Sequence, residues 1–217
     1  MEHLKRLEAV MEVDERQLSY PVRDKTTGAY RRRTLADHYK AIESFTLHGG
    51  VPSLIRDAFT SSCHVLLYSW FSYDMIPVSE LQSLTILEWA LRAKAKQDFE
   101  EYPRGLGRLM RMAVAKKWIG DEGLPAPHLI VEECDFLEGL EVPDPLPAAE
   151  EGFQYVTHLS KILPKQRNEL AHGTRALYPG GHMTFALVAG LINQLWPPTE
   201  DEVSEGPPLR EPPTTVR

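Results

Sequence analysis

Cysteine is scarce in this chain: Cys63 and Cys134 are the only two in 217 residues, they sit in unrelated contexts, and there is no CxxC. That excludes a disulfide framework and a zinc knuckle. Long apolar runs are also missing, since the longest, MTFALVAGLI at 183–192, is much shorter than the ~20 residues that cross a bilayer. The opening MEHLKRLEAVMEV mixes both charges where an export signal has an apolar centre. We therefore expect a cytoplasmic protein with no membrane partner. No GxxxxGK[ST], GxSxG or HExxH occurs, and GLG at 105–107 lacks the strand-turn-helix setting of a dinucleotide loop. The acidic run EECD at 132–135 reads as a solvated loop, and His172 and His182, flanking GTRALYPGG, lack a third ligand at sensible spacing. No metal and no cofactor is expected.

An excess of positive charge is missing too. The net charge is −7, which argues against nucleic-acid binding by bulk electrostatics. From Pro198 onward five acidic and two basic residues contribute −3, so the body carries −4. The objection weakens but stands. What the chain does have is 42% apolar residues, enough to bury a core at this length.

That apolar content is distributed with helical period. TLADHYKAIESFTLHGG starts at a Thr34 cap and stops at Gly49, and VPSLIRDAFTSSCHVLLYSWFSYDM is apolar on nearly all sides, as a central helix would be. SELQSLTILEWALRAKAK opens with a capping-box pattern, Ser79 and Gln82, and puts Leu84, Leu87 and Leu91 on one face. Ile86 and Trp89 lie off that face, and so wide an apolar surface predicts a homodimer. RGLGRLMRMAVAKKW sets Leu106, Leu109, Met110 and Ala113 against Arg104, Arg108 and Arg111. AAEEGFQYVTHLSKIL and HMTFALVAGLINQLW continue the series. The pattern predicts an all-α, up-and-down helical bundle. Residues 1–50 read as an N-terminal helix and an irregular or hairpin-like segment, residues 51–196 as the helical domain, and the six-proline stretch 197–217 as a disordered tail. The Pro/Gly/acidic connection 120–147 has no assignable structure.

Chemistry concentrates in PKQRNELAHG, 164–173. As local structure, Pro164 suits a first helical turn, Gly173 the left-handed position after the last, and Arg167 and His172 the negative end of the helix dipole. As a site, Asn168 and His172 are four apart and share a helix face, and Arg167 can reach around toward it. A histidine, whose ordinary pKa is ~6.5, can exchange protons with a ribose 2′-hydroxyl or a leaving oxygen at neutral pH. A guanidinium can hold the non-bridging phosphate oxygens, and an amide can orient either partner. A second Arg-x4-His, Arg33 to His38, lacks the asparagine and spans a helix start.

Arg167-Asn168-x3-His172, followed by a small residue late in an all-α chain, resembles the Rx4–6H motif of the HEPN superfamily. The resemblance implies a HEPN-like bundle and metal-independent endoribonuclease activity, with Arg167 and His172 as the catalytic pair and Asn168 as the accompanying polar residue. It also implies a homodimer that brings two motifs together and, in a toxin or defence system, a protein antitoxin or regulator. Lys165 and Arg175 beside the motif and the stripe Arg104, Arg108 and Arg111 are the candidate RNA-binding cations. The alternative is a non-catalytic HEPN-like module for dimerisation or for nucleotide or protein binding. A DNA-reading regulator is disfavoured, because no helix-turn-helix with a basic recognition helix is found.

Overall fold

A computed structural model of the chain describes residues 4–24, 27–125, 154–173 and 181–199. Most of the connection 120–147, the tail beyond residue 199, and Arg175 lie outside the described residues. Among the described residues, seven α-helices carry the fold: α1 (Glu15–Leu18), α2 (Leu35–Glu43), α3 (Ser53–Tyr68), α4 (Met75–Asp98), α5 (Leu106–Ala115), α6 (Tyr155–Ala171) and α7 (Gly181–Gln194). Between α1 and α2, strands β1 (Val22–Arg23) and β2 (Tyr30–Arg31) pair antiparallel, with Val22 opposite Arg31. The expected all-α bundle is what is found.

The centre of the bundle is α4 rather than α3. It packs against α3, α5, α6 and α7, while α5 also packs on α6 and α2 on α3. Residues from all sides of α4 are therefore covered: Leu84, Leu87 and Leu91 are buried as expected, and so is Ile86, at 5% exposure. Trp89 remains 40% exposed. Ile86 is thus covered within one chain and no longer argues for a dimer, whereas Trp89 stays exposed.

Boundaries follow from local chemistry, with three departures from expectation. At α2, the Thr34 hydroxyl accepts from the Asp37 N–H and the Asp37 carboxylate accepts from the Thr34 N–H, closing the capping box. Its helix, however, ends at Glu43, short of Gly49. Next, α4 starts at Met75, so Ser79 is interior and donates to the Ile76 carbonyl at 2.7 Å instead of capping. Pro77 falls in the first turn, where a missing N–H leaves no intrahelical bond unmade. Finally, residues 155–163 and 164–171 form one helix, with Pro164 inside it and not at its start. The true start is capped from a distance, by Asp121, whose carboxylate accepts from the N–H groups of Tyr155 and Val156 at 3.0 and 2.7 Å.

Four buried faces meet in the core: Leu106, Leu109, Met110 and Ala113 of α5; Val156, Leu159, Leu163 and Leu170 of α6; Phe185, Val188, Leu191 and Ile192 of α7; and the leucines of α4. Each large side chain so buried contributes ~1.5–3 kcal/mol. The N-terminal segment is tied to the turn after α3. Asp14 accepts from the Tyr73 N–H at 2.9 Å and Gln17 donates to the Ser69 carbonyl at 2.9 Å.

Candidate functional site

Three helices build a cleft of about 410 Å³ whose walls include Arg108 and Arg111 of α5, Arg167 and Asn168 of α6, and Glu88 of α4. Its floor is the crossing of Gly107 and Pro164. A Cβ on Gly107 would stand 3.2 Å from the Pro164 Cγ, tighter than ordinary contact, so glycine is what lets α5 approach α6 there. The amino end of α5 opens into the same cleft at Gly105, whose φ of 86° suits glycine and which has no side-chain cap.

The cations of the cleft lack anionic partners. Among the described residues, Arg108, Arg111 and Arg167 form no ion pair. Arg108 is anchored by Nε donating to the Arg104 carbonyl at 3.0 Å, which leaves its two terminal nitrogens for solvent. Arg167 makes one bond, from Nη1 to the Asn168 Oδ1 at 3.4 Å, and its Nε is buried with no acceptor. Glu88 is bound to Arg92 at 2.7 Å, and its side chain, 14% exposed, lines the cleft. Three guanidiniums share the cleft with one carboxylate, Glu88, which is already paired to Arg92, so they repel one another, and an anion between them relieves that repulsion.

The motif is thus divided. Arg167 and Asn168 reach the cleft; His172 does not line it. His172 is exposed at the C-cap of α6, its own N–H donating to the Asn168 carbonyl at 3.0 Å, and Gly173 follows in the expected left-handed conformation with φ 67°. Asn168 and His172 lie about 6 Å apart along the helix axis, four residues at 1.5 Å each. Of the other predicted cations, Lys165 is exposed and pairs with Glu169 at 3.8 Å, and Arg104 does not line the cleft, its carbonyl accepting from the Arg108 Nε.

Sequence reasoning missed Glu88 as a cleft residue, since its i,i+4 spacing to Arg92 marks only a helix-surface pair. The pair exists, but no local pattern signals that α5 and α6 fold over it. It also missed a cluster behind the second Arg-x4-His. Arg33 and His182 sit 3.1 Å apart, and the His182 ring meets the His38 ring edge-on at 5.2 Å. His38 is fully buried, with Nε2 3.0 Å from the Leu66 carbonyl, and burial, with Arg33 nearby, pushes its pKa down to about 4. Burial, followed by Arg33 and His38, likewise depresses His182. The fully enclosed His38 ring cannot meet a substrate, whereas Arg33 and His182 are half-buried beside it.

Among the described residues no group of three or more His, Cys, Asp or Glu could hold a metal ion, and no helix is long and apolar enough to cross a membrane. Comparison with protein-family models, with curated proteins and with solved structures finds no match to this chain.

Proposed function

We propose that the protein is a metal-independent endoribonuclease of HEPN type, acting as a homodimer in the cytoplasm. The observation that carries this reading is the convergence of Arg167 and Asn168, from the motif, with Arg108 and Arg111, from a different helix, on one open cleft. Chemically, the ribose 2′-oxygen attacks the adjacent phosphorus, its proton passes to a base, and the bond to the 5′-oxygen breaks as that oxygen is protonated. The products are a 2′,3′-cyclic phosphate and a 5′-hydroxyl. Arg167 meets the charge that grows on the non-bridging oxygens, Asn168 orients, and His172 exchanges the protons. A second copy would set its own motif against the first, as the resemblance implies.

The test is RNA cleavage by purified protein in EDTA, with product ends identified. His172→Ala and Arg167→Ala are each expected to lower the rate by ~10²–10⁴ while the fold is kept, because losing a positioned acid/base costs that much. Cleavage that persists in the double variant, or that EDTA abolishes in the wild type, refutes the reading. Light scattering that gives a monomer mass at tens of micromolar refutes the dimer. One observation favours the alternative, a non-catalytic HEPN-like module for dimerisation or for nucleotide or protein binding: His172 stands outside the cleft lining. RNA binding with no cleavage by a dimeric wild type decides for it.

A further inference from the structure

His172 and the cleft are separated, and the separation has a size. The cleft closes around Arg167 and Asn168, and the histidine lies one helical turn beyond, about 6 Å along α6. One nucleotide step of an extended strand is a comparable span. A phosphate seated between Arg108 and Arg111 of α5 is therefore set apart from the histidine, while its neighbour on the strand lies against Arg167 and His172 of α6.

We propose that the cleft is a phosphate subsite that binds the phosphodiester, or terminal phosphate, next to the one being cleaved. This rests on the ribonuclease reading above and adds a substrate rule to it: the preferred substrate carries at least two consecutive phosphates. Three features of the cleft fit an oxyanion. Its three guanidiniums have no carboxylate partner among the described residues. The one carboxylate in the wall, Glu88, is held by Arg92 at 2.7 Å, which offsets its charge. Arg108 is also held at Nε by the Arg104 carbonyl, so its terminal nitrogens are oriented before a ligand arrives.

Minimal substrates test this directly. The kcat/KM of a dinucleotide with a single 3′–5′ linkage is compared with those of the same dinucleotide carrying an added 5′-phosphate or an added 3′-phosphate. In wild type, one of the two added phosphates is expected to raise kcat/KM by about tenfold or more, the range of a hydrogen bond between charged groups. In Arg108→Ala/Arg111→Ala, whose replaced side chains are exposed and whose folding is checked by its melting curve, that ratio should fall toward one. A ratio near one in wild type, or a ratio retained in the double variant, overturns the subsite. Calorimetry with adenosine 3′,5′-bisphosphate separates this inference from the one beneath it. Arginine-dependent binding without cleavage of any RNA keeps the phosphate site and removes the ribonuclease reading. Cleavage of RNA with no arginine-dependent phosphate advantage keeps the ribonuclease and removes the subsite.

Discussion

Glu80 is 2% exposed in the middle of the bundle, and replacing it tests how the core holds α6 in place. Its Oε1 accepts from the Thr184 hydroxyl of α7 at 2.7 Å and from the Gln166 amide of α6 at 3.1 Å, and Gln166 also donates to the Thr184 oxygen at 3.0 Å. Glu80→Ala removes the acceptor from two buried donors. Each buried group left unsatisfied costs ~1–3 kcal/mol, and the surviving Gln166–Thr184 bond moderates the total to about 2–4 kcal/mol. In a chain of this size that lowers the melting temperature by about 5–15 °C. Glu80→Gln keeps the shape and one carbonyl acceptor in the same place, and it removes the cost of burying a carboxyl group, so its effect should stay within about 1 kcal/mol. The assay is equilibrium urea unfolding of both variants beside wild type, with midpoint and slope fitted separately. A glutamine variant as unstable as the alanine variant would show that charge, not hydrogen-bond geometry, is what α6 and α7 rely on. An alanine variant within about 0.5 kcal/mol of wild type would show that the network holds nothing. Because Gln166 precedes Arg167, a functional loss in Glu80→Ala that exceeds its loss of folded protein would indicate that the cleft wall has shifted.

Acid should destabilise the protein through His38. Its folded pKa is about 4 and its unfolded pKa ~6.5, so protons bind the unfolded state first, and stability is lost as pH falls from 6.5 toward 4, by up to about 3 kcal/mol. Denaturation midpoints across that range check this, and a flat profile refutes it. Asp14, held down to about 2 by hydrogen bonding to Arg16, contributes stability that is present above its unfolded pKa and lost only at lower pH, between ~4 and 2. Asp14→Ala should cost about 1–3 kcal/mol by releasing the Tyr73 N–H and Arg16, and should make the segment before α2 more susceptible to limited proteolysis; an unchanged digestion pattern counts against it. Gly173→Ala should cost about 1 kcal/mol, since φ of 67° puts a Cβ in the left-handed region, and a neutral result would mean the end of α6 rearranges freely.

Helix faces were legible in the sequence because burial on one side leaves a direct trace in residue type. Leu106, Leu109, Met110 and Ala113 against Arg104, Arg108 and Arg111 is the face that the structure buries and the face that it exposes. A hairpin-like segment within residues 1–50 was one of the readings of the sequence, and the pairing of Val22–Arg23 with Tyr30–Arg31 is that hairpin. Capping was less legible, because the S-x-x-Q phrase at Ser79 describes only a local option, and the burial of Ile76 on the core extended α4 past it. Pro164 was misplaced for the same reason: a proline costs about 3 kcal/mol inside a helix, which favours reading a start, yet the faces on both its sides are buried in one continuous row. At the site, Arg167 and Asn168 were legible as a pair. What they share a cleft with was not, since the crossing of α5 over α6 is a tertiary fact.

That crossing links the fold to the cleft. Pro164 has no N–H, so it forfeits the bond to the Ser160 carbonyl, and it presents its ring toward α5. Gly107 presents no side chain at the same point, and the two helices close to a distance at which a Cβ would already be crowded. One turn along α5 from the contact stands Arg111, and just along α6 from it stand Arg167 and Asn168. A close contact at one point allows the longer side chains beside it to stand around an opening instead of filling it. The Gly107–Pro164 contact therefore sets the separation of the guanidiniums, and each residue at the crossing bears on the affinity for an anion without touching it. A larger residue at 107 would push α5 away from α6, moving Arg108 and Arg111 from Arg167 while leaving every charge in the sequence unchanged.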